Sequence, residues 1–262
     1  LLNSAFRYLS PHLEIELNDA GKIRVDATHA ELVSNQQIQK KRTVFKELFR
    51  GNMLDIEIIE KLDAPSQITL ATYWKNLFGT LKGNPRQSGN GYQKLRKSSR
   101  IRKTRMDNQP GTSANYLLNL PELSSTEFKG LLVNFQALKS FQQMRIHDPR
   151  PRDLFKGPLL IVHQSPTVAS NRVRVLITDS DLVFNESYYG YSVAGHPEAH
   201  QLVRYLALLI GSKPILWFLL LTSGKFGVER SVLEKQTIDN IPVIPLERIT
   251  SAAREQIVPL FD

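Results

Sequence analysis

The longest apolar stretch, Leu202 to Thr222, restricts how this chain folds more than any other feature, because of where it breaks. Arg204 interrupts it early, and Gly211-Ser212-Lys213-Pro214 splits it in two. The longest clean run, Ile215 to Leu221, is far below the roughly 20 apolar residues a bilayer-crossing helix needs. The pattern therefore predicts two helices buried in a protein core. One is Ala199 to Ile210, entered through Pro197; the other is Ile215 to Leu221, capped by Ser212. No membrane span is expected, and Leu1 to Ser10 lacks the basic start and apolar run of a targeting signal. The chain begins without Met, and the expectation is a fragment of a longer polypeptide.

Those helices need a surface to cover. Leu159 to Val162, Arg172 to Ile177 and Leu182 to Phe184 are β-rich runs separated by turns and predict a small sheet. Ile241-Pro242-Val243-Ile244-Pro245 reads as an extended tail packed on the body, and Val228 to Gln236 as a third helix. Upstream, Leu1 to Leu9 has helical spacing, Lys22 to Asp26 alternates as a strand, and Gln37 to Phe49 reads as a helix. Met53 to Leu62, apolar at Leu54, Ile56 and Ile58, reads as a strand. Ile68 to Phe78 reads as strand then helical turn, and Gly79 to Gly91 as loop. The expected class is α+β. Residues 1–78 read as the end of an α/β unit, 79–114 as a connecting segment, and 115–262 as a mixed small-sheet and helical domain.

With 262 residues, 41% apolar and 23% charged, the composition is that of a folded globular chain. The absence of cysteine rules out a disulfide scaffold, a thiolate zinc site and a cysteine nucleophile, and suits the cytoplasm. The net charge of +9 is not evenly spread. Ala64 to Met106 holds ten basic residues and no acidic one, while the rest of the chain carries 24 basic against 25 acidic, a net of −1. Seven of the twelve residues from Lys94 to Arg105 are basic: Lys94, Arg96, Lys97, Arg100, Arg102, Lys103 and Arg105. Cations gathered in one segment neutralise phosphates and release counterions, so nucleic acid is the expected partner. Tyr92 and Gln93 lie beside the run, the first as a stacking or sugar contact and the second as a reader of base edges. Arg150 and Arg152 either join this surface or pair with Asp148 and Asp153; Arg145, His147, Lys156, Arg172 and Arg174 are further cations. Tyr188, Tyr189 and Tyr191 fit a core edge or a base-stacking site equally well.

Catalytic patterns are sparse. There is no phosphate loop, no Gly-x-Ser-x-Gly elbow and no dinucleotide-binding glycine turn. His196 and His200 are four apart, but Pro197 sets His196 at a helix entry and no third ligand is evident. Glu127-Phe128-Lys129 fits the acid-x-Lys triplet of a metal-dependent nuclease without an obvious acidic partner. A third reading is a protein-interaction module docking through Ile215 to Leu221 and Ile241 to Pro245, which requires those residues to be exposed.

Leu154-Phe155-Lys156-Gly157-Pro158-Leu159-Leu160-Ile161 resembles the Phe-x-Gly-Pro block and following strand in the target-recognition region of adenine-N6 DNA methyltransferases of restriction-modification systems. Asp181 to Tyr191, the pair Leu206 to Ser212 and Trp217 to Thr222, Phe226 to Arg230, and Ile241 to Pro245 resemble later blocks in the same order. Gly211 stands where that family usually has Asn. Arg42 to Leu62 and Gly89-Asn90-Gly91 resemble the late methylase helix and strand and the glycine turn that follows. The resemblance implies the distal part of a methylase domain (residues 1–78) followed by a target-recognition domain that grips double-stranded DNA. It also implies S-adenosylmethionine as cofactor of the full-length enzyme. The adenosylmethionine loop and the Asn-Pro-Pro-aromatic motif are both absent here, and Asn84-Pro85-Arg86 is not that motif. No catalytic, cofactor-binding or metal-binding residue is assigned, and methyl transfer is expected from an N-terminal methylase region outside this sequence.

Overall fold

The structure is a computed structural model that describes residues 5–9, 16–17, 23–24, 30–40, 44–51, 53–62, 67–95, 111–123, 128–165, 172–223 and 232–261. It is α+β, with small separate sheets and short helices.

In the N-terminal part, β1 (Ala5–Leu9) pairs antiparallel with β4 (Ala30–Ser34), and the short β2 (Glu16–Leu17) pairs with β3 (Ile23–Arg24). The helical spacing of Leu1 to Leu9 thus yields to strand pairing with a partner more than 20 residues away. Next come α1 (Asn35–Lys40), α2 (Val44–Arg50), α3 (Met53–Leu62) and α4 (Leu70–Phe78). The strand expected over Met53 to Leu62 is a helix. Leu54 and Ile58, which made the alternation, are exposed, whereas Ile59 is buried with Ile56 and Leu62 half-buried around it, a helical spacing. Thr69 caps α4, its hydroxyl accepting the Thr72 amide at 3.2 Å.

Gly79 to Gly91 is not a plain loop. β5 (Thr80–Leu81) and β6 (Asn84–Pro85) form a hairpin whose two-residue turn, Lys82-Gly83, has positive φ at both positions (49° and 79°). That is the turn whose twist matches antiparallel strands. β7 (Ser88–Asn90) then becomes the edge strand of the principal sheet. β8 (Thr112–Ser113), β9 (Pro121–Leu123), β10 (Lys139–Ser140) and β11 (Arg145–Ile146) are two- or three-residue pieces. They precede β12 (Leu159–His163), β13 (Val175–Thr178), β14 (Val183–Phe184) and β15 (Tyr188–Ser192).

The principal sheet has the order β13-β12-β15-β7, antiparallel throughout. Its strands alternate between two cores. Leu160, Val162, Val175, Ile177, Tyr189 and Tyr191 face a helical core; Leu159, Ile161, Leu176 and Tyr188 face an aromatic one built on Tyr92, Phe128, Phe141, Phe155 and Phe184. Burial on both faces explains why Leu159 to Val162 is a continuous apolar run rather than an alternating one.

The helical core contains α5 (Ala199–Ile210) and α6 (Lys213–Thr222), with α7 (Lys235–Asp239) and α8 (Ser251–Glu255) following. Ser212 caps α6 through the Ile215 amide at 3.3 Å, and α5 and α6 meet at 59°. Among the described residues no single helix is long and apolar enough to cross a membrane. The Ile241–Pro245 tail packs on the body as expected. Val243 donates to the Ile68 carbonyl at 2.8 Å, and Leu70 donates to that of Ile241 at 2.9 Å. The third helix is shorter and later than Val228 to Gln236, and residues 224–231 lie outside the described ones.

The expected boundary at residue 78 does not divide the packing. Leu70, Tyr73 and Trp74 of α4 share the helical core with α5 and α6, and Trp217 donates to Asp55 at 3.1 Å. Residues 88–90 of the expected connecting segment likewise belong to the principal sheet, as β7.

Candidate nucleic-acid interface

The described chain stops at Lys94-Leu95 and resumes at Gly111; Arg96, Lys97, Arg100, Arg102, Lys103 and Arg105 lie outside the described residues. Both described ends are fastened to one short stretch. The Gln93 carbonyl accepts the His147 amide at 2.9 Å, and the Gln93 amide lies 3.5 Å from the Asp148 carbonyl. On the return side, Arg145 donates through Nη2 to the Gly111 carbonyl at 2.8 Å, and β8 pairs with β11. A Cβ on Gly111 would meet Leu95 Cδ2 at 2.7 Å, so the two ends nearly touch. The described residues on the two sides of positions 96–110 therefore lie close together. Lys94, the described one, is exposed and lies 3.9 Å from Glu122.

Tyr92 is not available for stacking. Its ring is fully buried, edge-on to Phe141, and its hydroxyl donates to Glu122 and accepts from Gln143 Nε2 at 3.1 Å. Burial and the Glu122 carboxylate push its pKa well above that of a free phenol. An aromatic beside a basic run reads as a base contact only if its face is free, and here it is core. Gln93 is half-buried, and no described residue hydrogen-bonds to its side-chain amide, which leaves that group available.

Arg150 and Arg152 are engaged with the protein. Arg150 pairs with Asp148 at 2.9 Å and donates through Nε to the Gly91 carbonyl at 3.4 Å. Arg152 pairs not with Asp153 but with Asp181, at 2.5 Å, and Asp181 also accepts the Gly157 amide at 3.0 Å. Its Nη1 is buried. Asp153 instead serves Lys156 at 3.0 Å and Arg86 at 3.6 Å, cations that hold its carboxyl below its usual range. A phosphate would have to displace these carboxylates, so Arg152 is structural and Arg150 a reduced contributor. Arg174 lies over the Phe128 ring at 5.0 Å and donates to the Phe128 carbonyl at 2.7 Å, which also makes it structural.

Two concavities flank the chain between β7 and Lys94. An open cleft of about 700 Å³ lies between the β5–β6 hairpin and the Pro149–Leu154 turn, with Arg86, Arg150 and Lys235 in its lining. Lys235 pairs with Asp239 at 2.6 Å and lies 4.6 Å from the Tyr191 ring centre; desolvation pulls its ammonium below its usual pKa. On the other side, next to Lys94, is a cavity of about 320 Å³. Its residues come from four separated segments, and no local motif marks it.

Tyr188, Tyr189 and Tyr191 are core residues. His196 Nδ1 accepts the Glu198 amide at 3.1 Å and His200 pairs with Asp179 at 2.9 Å, so the two do not converge. No group of three His, Cys, Asp or Glu side chains is placed to hold a metal ion among the described residues, and Glu127 lies outside them. Ile215, Phe218, Leu219, Leu221, Ile241 and Val243 are buried and Ile244 is exposed, so most of the surface the interaction-module reading requires lies in the core. A search of family models and of curated proteins finds no match to this chain.

Proposed function

We propose that this chain is the DNA-holding and target-recognising portion of an adenine-N6 DNA methyltransferase of a restriction-modification system, working in the cytoplasm on double-stranded DNA. The observation that carries the reading is the basic run fastened at both ends, Gln93 to His147 and Gly111 to Arg145. Seven cations in twelve residues, flanked by two described chain ends that lie close together, offer concentrated charge to a nucleic-acid backbone. Phosphate contact is assigned to Lys94, Arg96, Lys97, Arg100, Arg102, Lys103 and Arg105, and base reading to Gln93. The Leu154 to Ile161 block supports the family through its resemblance to the Phe-x-Gly-Pro block and following strand, and its apolar end is β12. Methyl transfer, with its S-adenosylmethionine, is assigned to no residue of this chain.

Fluorescence anisotropy with duplex DNA over a salt series tests the reading. Four to seven neutralised phosphates correspond to a slope of log K against log salt of roughly −4 to −6. A flat salt response, or tighter binding of duplex RNA in competition, overturns it.

A further inference from the structure

The cavity at the root of the basic run carries an inference of its own. Besides Lys94 at its rim, its polar lining includes Glu122, His163, Gln164 and Asn185, with Leu123 and Tyr188 as apolar wall. Among the described residues, the hydrogen bonds and ion pairs of each of the four polar side chains use one of its polar atoms, and that fixes what the other offers. Both Tyr92 and Lys94 address Glu122 through Oε1, so Oε2 remains an acceptor. His163 Nδ1 accepts the Ser165 amide at 2.9 Å, which puts the neutral ring's proton on Nε2 and makes that atom a donor. Gln164 Nε2 donates to the Glu186 carbonyl, so Oε1 is an acceptor. Asn185 Oδ1 accepts the Ser187 amide at 2.9 Å, so Nδ2 is a donor.

The lining thus presents two acceptors and two donors, pre-set by the protein, beside an exposed cation. A planar heterocycle with both kinds of group on its edge matches such a set, and the volume lies at the lower end of ligand-pocket sizes, roughly 300 Å³. We propose that this cavity receives one unpaired, amino-bearing nucleobase, its N–H groups on Glu122 and Gln164, its acceptors on His163 and Asn185, and its phosphate on Lys94. The proposal rests on the nucleic-acid reading above and adds a site for a single nucleotide turned out of the stack. Adenine, cytosine and guanine each bring an exocyclic amino group with two N–H hydrogens. Thymine brings a single ring N–H between two carbonyls and leaves one acceptor unmatched, which costs affinity.

Isothermal titration calorimetry on the whole chain tests this with dAMP, dCMP, dGMP, TMP and deoxyribose 5-phosphate as probes. The expected result is saturable binding at one site for amino-bearing nucleotides, at least about fivefold tighter than TMP. Lys94→Ala should weaken each nucleotide toward the affinity of its nucleoside and leave the nucleosides unchanged. Gln164→Leu should erase the preference over TMP. If circular dichroism shows that Gln164→Leu fails to fold, the comparison at exposed Lys94 decides. Equal binding of TMP, equal binding of deoxyribose 5-phosphate, or no saturation up to roughly 10 mM overturns the proposal. Duplex anisotropy on the same preparation separates the two ideas. Salt-dependent duplex binding without nucleotide binding removes the pocket alone, whereas nucleotide binding without duplex binding removes the proposed function alone.

Discussion

Tyr73 and Leu246, 173 residues apart in sequence, are joined by a hydrogen bond of 3.1 Å in which the Leu246 amide donates to the Tyr73 hydroxyl. That hydroxyl in turn donates to Glu247 at 3.2 Å. The contact fastens α4 to the turn after the Ile241–Pro245 tail, across a buried seam. Tyr73→Phe keeps the ring and strands a buried amide, so unfolding in urea should show a loss of about 1–3 kcal/mol. A loss below about 0.5 kcal/mol would show that another acceptor takes over.

Alkaline stability should be governed by tyrosine. Burial is the first cause of the raised pKa values of Tyr73, Tyr92, Tyr189, Tyr191 and Tyr205; those of Tyr189 and Tyr205 are each pushed up to about 12. A phenol whose folded pKa exceeds its unfolded value of 10.0 contributes stability that is complete below pH 10 and lost as pH rises through the folded values. Melting temperature should therefore fall steadily above pH 10, with tyrosinate absorbance from these five appearing together with unfolding. Tyr205→Phe should flatten that fall.

His163 works in the opposite range. Burial, then the Arg174 charge, lowers its pKa below the ordinary 6.5. Between that lowered value and 6.5 the unfolded chain binds a proton the folded chain refuses, so stability rises with pH through the window and is lost on acidification. A proton NMR titration should place the His163 midpoint below 6.5, and Arg174→Met should move it upward. A midpoint at or above 6.5 would contradict the desolvated ring whose Nδ1 accepts the Ser165 amide.

The two apolar helices α5 and α6 were legible because their signals are local: Ser212 and Pro214 lie within the segment they punctuate. The strand Leu159 to Val162 was legible for the same reason, being apolar at every position. Met53 to Leu62 was misread because Leu54, Ile56 and Ile58 alternate by coincidence, and only the buried Ile59 reveals the true period. Tyr92 and Arg152 were misassigned because their partners, Glu122 and Asp181, are about 30 residues away. The nucleotide-sized cavity was invisible, since Lys94, Glu122, His163 and Asn185 are brought together only by tertiary pairing.

Gly91 offers a test of that pairing. A Cβ there would be driven into the Phe184 and Asn185 carbonyls, where Tyr92 bridges to Asn185. Backbone atoms cannot swing aside as a side-chain tip can, so Gly91→Ala should destabilise by about 3 kcal/mol or more. Gly83→Ala, in the open turn at φ 79°, should cost only its backbone strain, about 1 kcal/mol. Thermal melts of the two variants check the ranking; equal losses would mean that the chain beside Tyr92 gives way more readily than the contact implies.

The salt dependence of DNA binding should sort the cations by their partners. Arg152 is bound to Asp181 and Arg150 to Asp148, so a phosphate gains from either only what the carboxylate gives up. Between Ala64 and Met106 the sequence holds no carboxylate, so Arg100, Arg102 and Lys103 have no acidic neighbour within three residues in sequence. Each cation that releases a counterion contributes about 0.9 to the slope. Replacing Arg100, Arg102 and Lys103 together by Ala should therefore make the slope shallower by roughly 2.7, while Arg152→Ala should change it by less than about 0.5. Arg152→Ala should instead lower the melting temperature, because it leaves Asp181 half-buried beside the Gly157 amide without its cation. A slope change from Arg152→Ala equal to that of a single substitution in the run would show that the Asp181 pair opens for phosphate. The grip would then extend from the basic run onto the Pro151–Phe155 turn.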